Sequence, residues 1–165
     1  MALKADRHEL DVDISFFMDA TATRGGCVSI VAVGSGAAMD QAKATVNYVA
    51  AANDVIPVGI LLNDVVNLDL TRQHISFHKD EVQKGGKVSI LKKGWVVTNM
   101  ITGTPTAGAL AYLDDATAGN LTIKGSVDDG EYVHIGRFMS TLDEDGYVKV
   151  EINLPMATDQ AGILE

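Results

Sequence analysis

Glu9-Leu-Asp-Val-Asp-Ile-Ser-Phe16 and Tyr147-Val-Lys-Val-Glu-Ile-Asn-Leu154 set the reading of this chain. In the first, Leu10, Val12, Ile14 and Phe16 alternate with Glu9, Asp11, Asp13 and Ser15. In the second, Val148, Val150, Ile152 and Leu154 alternate with Tyr147, Lys149, Glu151 and Asn153. Successive side chains of a strand point to opposite faces, so such runs bury one face and wet the other.

Glycine or acidic turns interrupt similar runs every ten or so residues. Thr21–Gly26 is a flexible break, which leaves the first strand (Glu9–Met18) separable: it can pair in its own sheet or reach a neighbouring chain. Cys27–Val33 is a compact β-branched run ended by Gly34-Ser35-Gly36. Ala37–Ala52 is mixed, with helix formers first (Ala37, Ala38, Met39, Ala42) and strand formers after (Thr45–Val49). Val55–Leu62 is apolar on both faces and predicts a central, fully covered strand, with Pro57 removing one ladder donor. Lys93-Gly94 divides two β runs, as a tight hairpin or a bulge does. Asp143-Glu-Asp-Gly146 is an acidic turn between the last two strands, and Pro155 ends the last one. This pattern predicts an all-β fold: a small β-barrel or sandwich of short antiparallel strands, with an extended N-terminal strand or arm and at most one short helix.

The chain has 165 residues and is 47% hydrophobic. A chain of that length buries roughly 70% of the surface its unfolded form exposes, so it needs no staple. The lone Cys27 excludes an internal disulfide framework. The formal charge is −9, and residues 113–165 hold eleven acids against three bases, which accounts for nearly all of it. DNA and anionic membranes repel such a surface. Five lysines lie between Lys79 and Lys93, but Asp80 and Glu81 dilute them. No run approaches the ~20 apolar residues of a membrane helix. Acids at Asp6, Glu9, Asp11 and Asp13 occupy the place of a signal-peptide core. Synthesis and folding in the cytoplasm follow as the expectation.

The spacing of its polar residues gives this chain no site of chemistry. His74 and His78 would share a helix face, but Ile75 and Phe77 alternate with Ser76 as in a strand, which separates them by ~13 Å. Ile75 also stands where a metalloprotease pattern needs glutamate. Gly34-Ser35-Gly36 lacks a third glycine, because Met39 occupies that place, and no βαβ unit follows. Asp143, Asp145 and Gly146 suggest a calcium loop, but Tyr147 onward continues as a strand and a hairpin turn fits better. No G-x-S-x-G is present, and Cys27 lies in an apolar strand. These readings predict no catalytic residue, no metal site and no cofactor. Trp95, the single tryptophan, is expected in the core, or, more sharply, as an oligomer-interface anchor.

Three segments carry a resemblance. Val58-Gly-Ile-Leu-Leu-Asn-Asp-Val65, His78-Lys-Asp-Glu-Val-Gln-Lys-Gly-Gly-Lys-Val88 and Lys93-Gly-Trp-Val-Val-Thr-Asn99 resemble the capsid cement, or head decoration, proteins of tailed bacteriophages. Gly108–Leu113, Gly136-Arg-Phe-Met139 and Gly146–Leu154 continue the likeness, which spans roughly residues 26–155. The resemblance implies a β-barrel module with no catalytic residues. It implies binding to the outside of an expanded icosahedral shell, commonly as homotrimers at threefold or quasi-threefold positions, bridging major capsid protein subunits.

On this reading residues 1–25 form the N-terminal arm or strand, 26–155 the β-barrel decoration domain, and 156–165 a C-terminal tail. The long N-terminal strand departs from a minimal barrel, and Leu10, Val12, Ile14, Phe16 and Phe17 are the expected capsid-binding residues. They would add a strand to, or lie across, an adjacent subunit, with backbone pairing for hydrogen bonds and alternate pockets for specificity. The rival expectation is a β-sandwich carbohydrate-binding or adhesin module on a virion or cell surface. An aromatic content of 5% counts against it. A small β-barrel enzyme is the third reading, disfavoured by the missing acid, base and nucleophile set.

Overall fold

The computed structural model describes residues 2–32, 45–52, 55–64, 68–69, 74–75, 80–123 and 133–154. Thirteen strands lie within them: β1 (Leu3–Met18), β2 (Ala22–Thr23), β3 (Cys27–Ala32), β4 (Thr45–Asn47), β5 (Pro57–Asp64), β6 (Leu68–Asp69), β7 (His74–Ile75), β8 (Glu81–Val82), β9 (Lys87–Thr98), β10 (Leu110–Leu113), β11 (Leu121–Thr122), β12 (His134–Phe138) and β13 (Val148–Asn153). The fold is all-β. The helix-favouring Ala37–Ala42, the Gly34–Gly36 turn, His78 and the tail 156–165 lie outside the described residues.

Nine strands are hydrogen-bonded in the order β1-β4-β3-β5-β9-β13-β12-β10-β11; a further β1–β9 pairing closes the first five into a ring, and β9 continues beyond it with β13, β12, β10 and β11 as a second sheet. Every pairing in that ring is antiparallel except β1–β4, which is parallel. The sequence predicts antiparallel strands throughout. The exception follows from parity: five strands cannot alternate direction all the way round a closed ring, so one neighbouring pair must run parallel. Nor are all the strands short, since β1 has 16 residues and β9 has 12.

Length lets β9 serve two structures. One of its edges meets β5 through Ile60↔Leu91 and Leu61↔Ile90, and further along meets β13 from Val148↔Thr98 to Asn153↔Lys93. Its other edge carries β1 from Leu3↔Thr98 to Phe17↔Lys87. An extra residue at Lys92, between the Asp11↔Lys93 and Val12↔Leu91 pairs, turns β9 over. Val88 and Ile90 therefore point into the ring with Met18, Val28, Val46, Val58 and Leu61. Leu91 and Val96 instead join a second core with Leu3, Ile60, Leu113, Ile135, Phe138, Val150 and Ile152. The Lys93-Gly94 break is thus a bulged stretch of one strand and not a hairpin.

Of the stretch Val55–Leu62, predicted to be covered on both faces, the second half is so covered: Leu61 faces the ring and Ile60 and Leu62 face the second core, all 1% exposed or less, whereas Ile56 lies ahead of the strand and is 54% exposed. Full burial of side chains this size stabilises by roughly 1.5–3 kcal/mol each. Gly94 fixes how closely β1 approaches. Its φ is +137°, and a Cβ there would stand 1.9 Å from the His8 carbonyl oxygen. Only glycine lets the two backbones pack at that distance.

Candidate docking surface

β1 is held to its own barrel by more than the ladder. Lys4 Nζ donates to Asp143 Oδ2 at 2.8 Å and lies 4.2 Å from the centre of the Tyr147 ring. The Lys4 bond holds the Asp143 carboxyl below its ordinary value, helped by the backbone N–H of Tyr147, and raises Lys4 in return. Asp143 Oδ1 accepts from the N–H groups of Asp145 and Tyr147, so this carboxylate organises a hairpin turn. Among the described residues no group of three or more His, Cys, Asp or Glu side chains is placed to hold a metal ion.

Further along β1, Asp13 accepts from the Ser15 N–H at 2.8 Å and from the Ser15 hydroxyl, and pairs with Lys92 at 3.4 Å. Partial burial alone would raise its carboxyl; the Ser15 donors and Lys92 outweigh that and hold it below the usual range.

Leu10 and Ile14 sit where β1 bulges. The pairs Glu9↔Gly94 and Asp11↔Lys93 leave Leu10 as an extra residue, and Asp13↔Ile90 and Phe16↔Val88 set Ile14 and Ser15 against Ser89 alone. A bulge re-aims side chains and increases the local twist. Leu10 is consequently 70% exposed and Ile14 51% exposed. Val12 packs against the second core and Phe16 against the ring interior. Phe17 is half-buried with Lys87 Nζ 6.0 Å from its ring centre. The five residues that alternate as one set in the sequence are thus divided. Two are presented outward, two pack inward, and one is half covered at the strand's end. The bulges that divide them leave no mark in the hydrophobic pattern; the Asp13-x-Ser15 turn is the one local signal that could have been read.

Trp95 is not in the core. It stands half-buried on the outer face of β9, with Lys149 Nζ 3.5 Å from its ring centre and His8 at 6.4 Å between ring centroids. Cys27 is fully buried, and burial pushes its thiol up to about 12, which keeps it unreactive. His134 Nε2 lies 2.8 Å from the Gly136 carbonyl and its ring stands against Tyr112, while His8 meets Trp95. Neither imidazole has a nucleophile as its partner among the described residues. No helix among the described residues is long and apolar enough to cross a membrane.

These features define a class: a β scaffold that presents exposed aliphatic side chains from a hydrogen-bonded strand and, among the described residues, groups no catalytic set. The chain belongs to the family described as structural cement protein (E217 gp24/Pam3 gp6), whose model matches residues 7–153. That span takes in β1 from Arg7 onward, the rest of the closed ring and the second sheet. The chain is thereby a structural protein of the phage virion, associated with capsid proteins. No curated protein matches it.

Proposed function

We propose that this protein binds the outer surface of the expanded capsid and stabilises it by bridging major capsid protein subunits. The observation that carries the proposal is the outward presentation of Leu10 and Ile14 on a strand that is hydrogen-bonded into its own barrel along β9. Exposed aliphatic side chains on an ordered backbone lose little freedom on binding, so their burial is translated into affinity. Val12, Phe16 and Phe17 act by seating that strand. Among the described residues β1 has a ladder partner on its second edge only at Phe17 and Met18, where β4 pairs. The rest of that edge can take a strand from a capsid subunit.

Asp6, Glu9 and Asp11 are exposed beside Leu10, which favours a capsid surface carrying basic side chains around an apolar pocket. The reading places the protein, made in the host cytoplasm, on the capsid exterior, grouped in trimers around threefold positions as the resemblance implies. Many identical contacts on one shell add by multivalency, so each need only be modest. The protein does no chemistry in this role. A carbohydrate-binding role needs several aromatic rings to stack on sugars, and only 5% of this chain is aromatic.

Scanning calorimetry of expanded, undecorated shells tests the proposal. Added protein should raise the shell's melting temperature in proportion to occupancy up to saturation. Shells that melt at the same temperature with and without saturating protein would contradict it.

A further inference from the structure

Five cross-strand partners form a row over the outer face of the second sheet. Leu110 on β10 pairs with Arg137 on β12, Arg137 with Glu151 on β13, Glu151 with Trp95 on β9, and Trp95 with His8 on β1. Leu110, Arg137 and Glu151 are exposed, and Trp95 is half-buried. Neighbouring strands lie ~4.8 Å apart, so the four positions from Leu110 to Trp95 span about 14 Å. Arg137 and Glu151 stand directly opposite each other, yet among the described residues neither makes an ion pair or a side-chain hydrogen bond. They line a cleft of about 260 Å³ together with Leu110, His134, Gly136 and Asn153.

The order of the row is self-complementary. Read from β10 to β9 it runs apolar, positive, negative, aromatic. A two-fold axis parallel to the strands, passing between β12 and β13, would set a second copy face to face with the first. Arg137 would then meet the second copy's Glu151, and Leu110 its Trp95, each contact occurring twice. An isologous interface requires this property of a single patch. The charge distribution selects the same face. Two copies of a chain with net charge −9 repel each other over most of their surfaces, and residues 113–165 contain only three bases. Two of those three, Arg137 and Lys149, stand here.

We propose that this face is a two-fold contact between copies of the chain, centred on the reciprocal Arg137–Glu151 pair and flanked by Leu110 against Trp95. It is separate from capsid attachment through β1. On the shell it would join copies that belong to adjacent positions.

Sedimentation equilibrium of the full chain, with no capsid present, tests it. The smallest species should double in mass as concentration rises. Arg137→Glu and Glu151→Arg each turn two attractions into two repulsions, and each should weaken the doubling at least about tenfold. The double variant Arg137→Glu/Glu151→Arg should restore it. Leu110→Ser leaves the charge pair intact and should weaken doubling without lowering the thermal melt, which separates the contact from any effect on the fold. Absence of doubling up to about 1 mM, the weak end of measurable association, would overturn the proposal. So would doubling that none of these variants changes. The capsid reading stands or falls separately, on binding to shells.

Discussion

β13 and β1 carry the same alternation of apolar and polar residues, and it leads to different surfaces. Val148, Val150 and Ile152 of β13 are each 1% exposed or less, whereas Leu10 and Ile14 of β1 are 70% and 51% exposed. β13 is flanked on both sides by regular antiparallel neighbours, β9 and β12, with no shift of register against either. β1 wraps the ring and the second sheet together along one strand, and its pairing with β9 slips four times. A strand that must follow two differently curved bodies cannot keep one face inward. The slips release that mismatch, and the side chains at two of them are turned out. The edge so produced is where contact with a partner costs the fold least.

Substitutions sharpen this contrast, beginning with the largest effect. Ile152→Asp buries a carboxylate in the second core and should destabilise by about 4 kcal/mol or more, enough to unfold a marginal domain in a denaturant titration. Gly94→Ala sets a methyl against the His8 carbonyl at a positive φ. It should cost about 3 kcal/mol and lift β1 from β9, visible as rapid amide exchange along residues 3–17. Phe16→Ala removes a partly buried ring from the ring interior, for a loss near 2 kcal/mol in chemical denaturation. Leu10→Ser and Ile14→Ser touch no core and should change stability by less than about 0.5 kcal/mol. A loss for Ile14→Ser as large as that for Phe16→Ala would erase the distinction between the two sets.

The clamps on β1 give the contrast a pH dependence. Asp143 and Asp13 both have carboxyls held below the ordinary 3.8. A depressed carboxyl stabilises the fold above its unfolded value, and that contribution is lost as pH falls through the folded value. Lys4, raised above 10.5, contributes below that value and loses its share as pH rises through the higher folded one. Exchange along β1 should therefore quicken below about pH 3.8 before the β13 amides respond, and Asp13→Asn/Asp143→Asn should flatten that acid limb. Simultaneous acid loosening of β1 and β13 would argue against separate clamps.

Much of this architecture could be read from residue order. Alternation placed β13, the doubly apolar Val55–Leu62 placed the shared strand β5 two residues early, and the scarcity of any helix period left an all-β fold. What could not be read was closure. That β1 returns to β9 depends on a pairing across some eighty residues, and the parallel β1–β4 neighbour follows from that closure alone. Trp95 illustrates the same limit. A single tryptophan is expected in the core or at an interface, but the extra residue at Lys92 decides which way the strand faces after it. The row from Leu110 to Trp95 draws on four separate segments, so no local pattern contains it. Leu10 and Ile14 were legible as apolar strand residues. Their exposure was not, because a bulge conserves composition while changing direction.

The central claim is attachment of this protein to a shell through the outward side chains of β1. Co-sedimentation of the native chain and of Leu10→Asp/Ile14→Asp with expanded, undecorated capsids measures it directly. The native chain should pellet with the shells to saturation, and the double variant, folded and equally stable, should remain in the supernatant. Equal pelleting of both, or none by the native chain, would contradict the account.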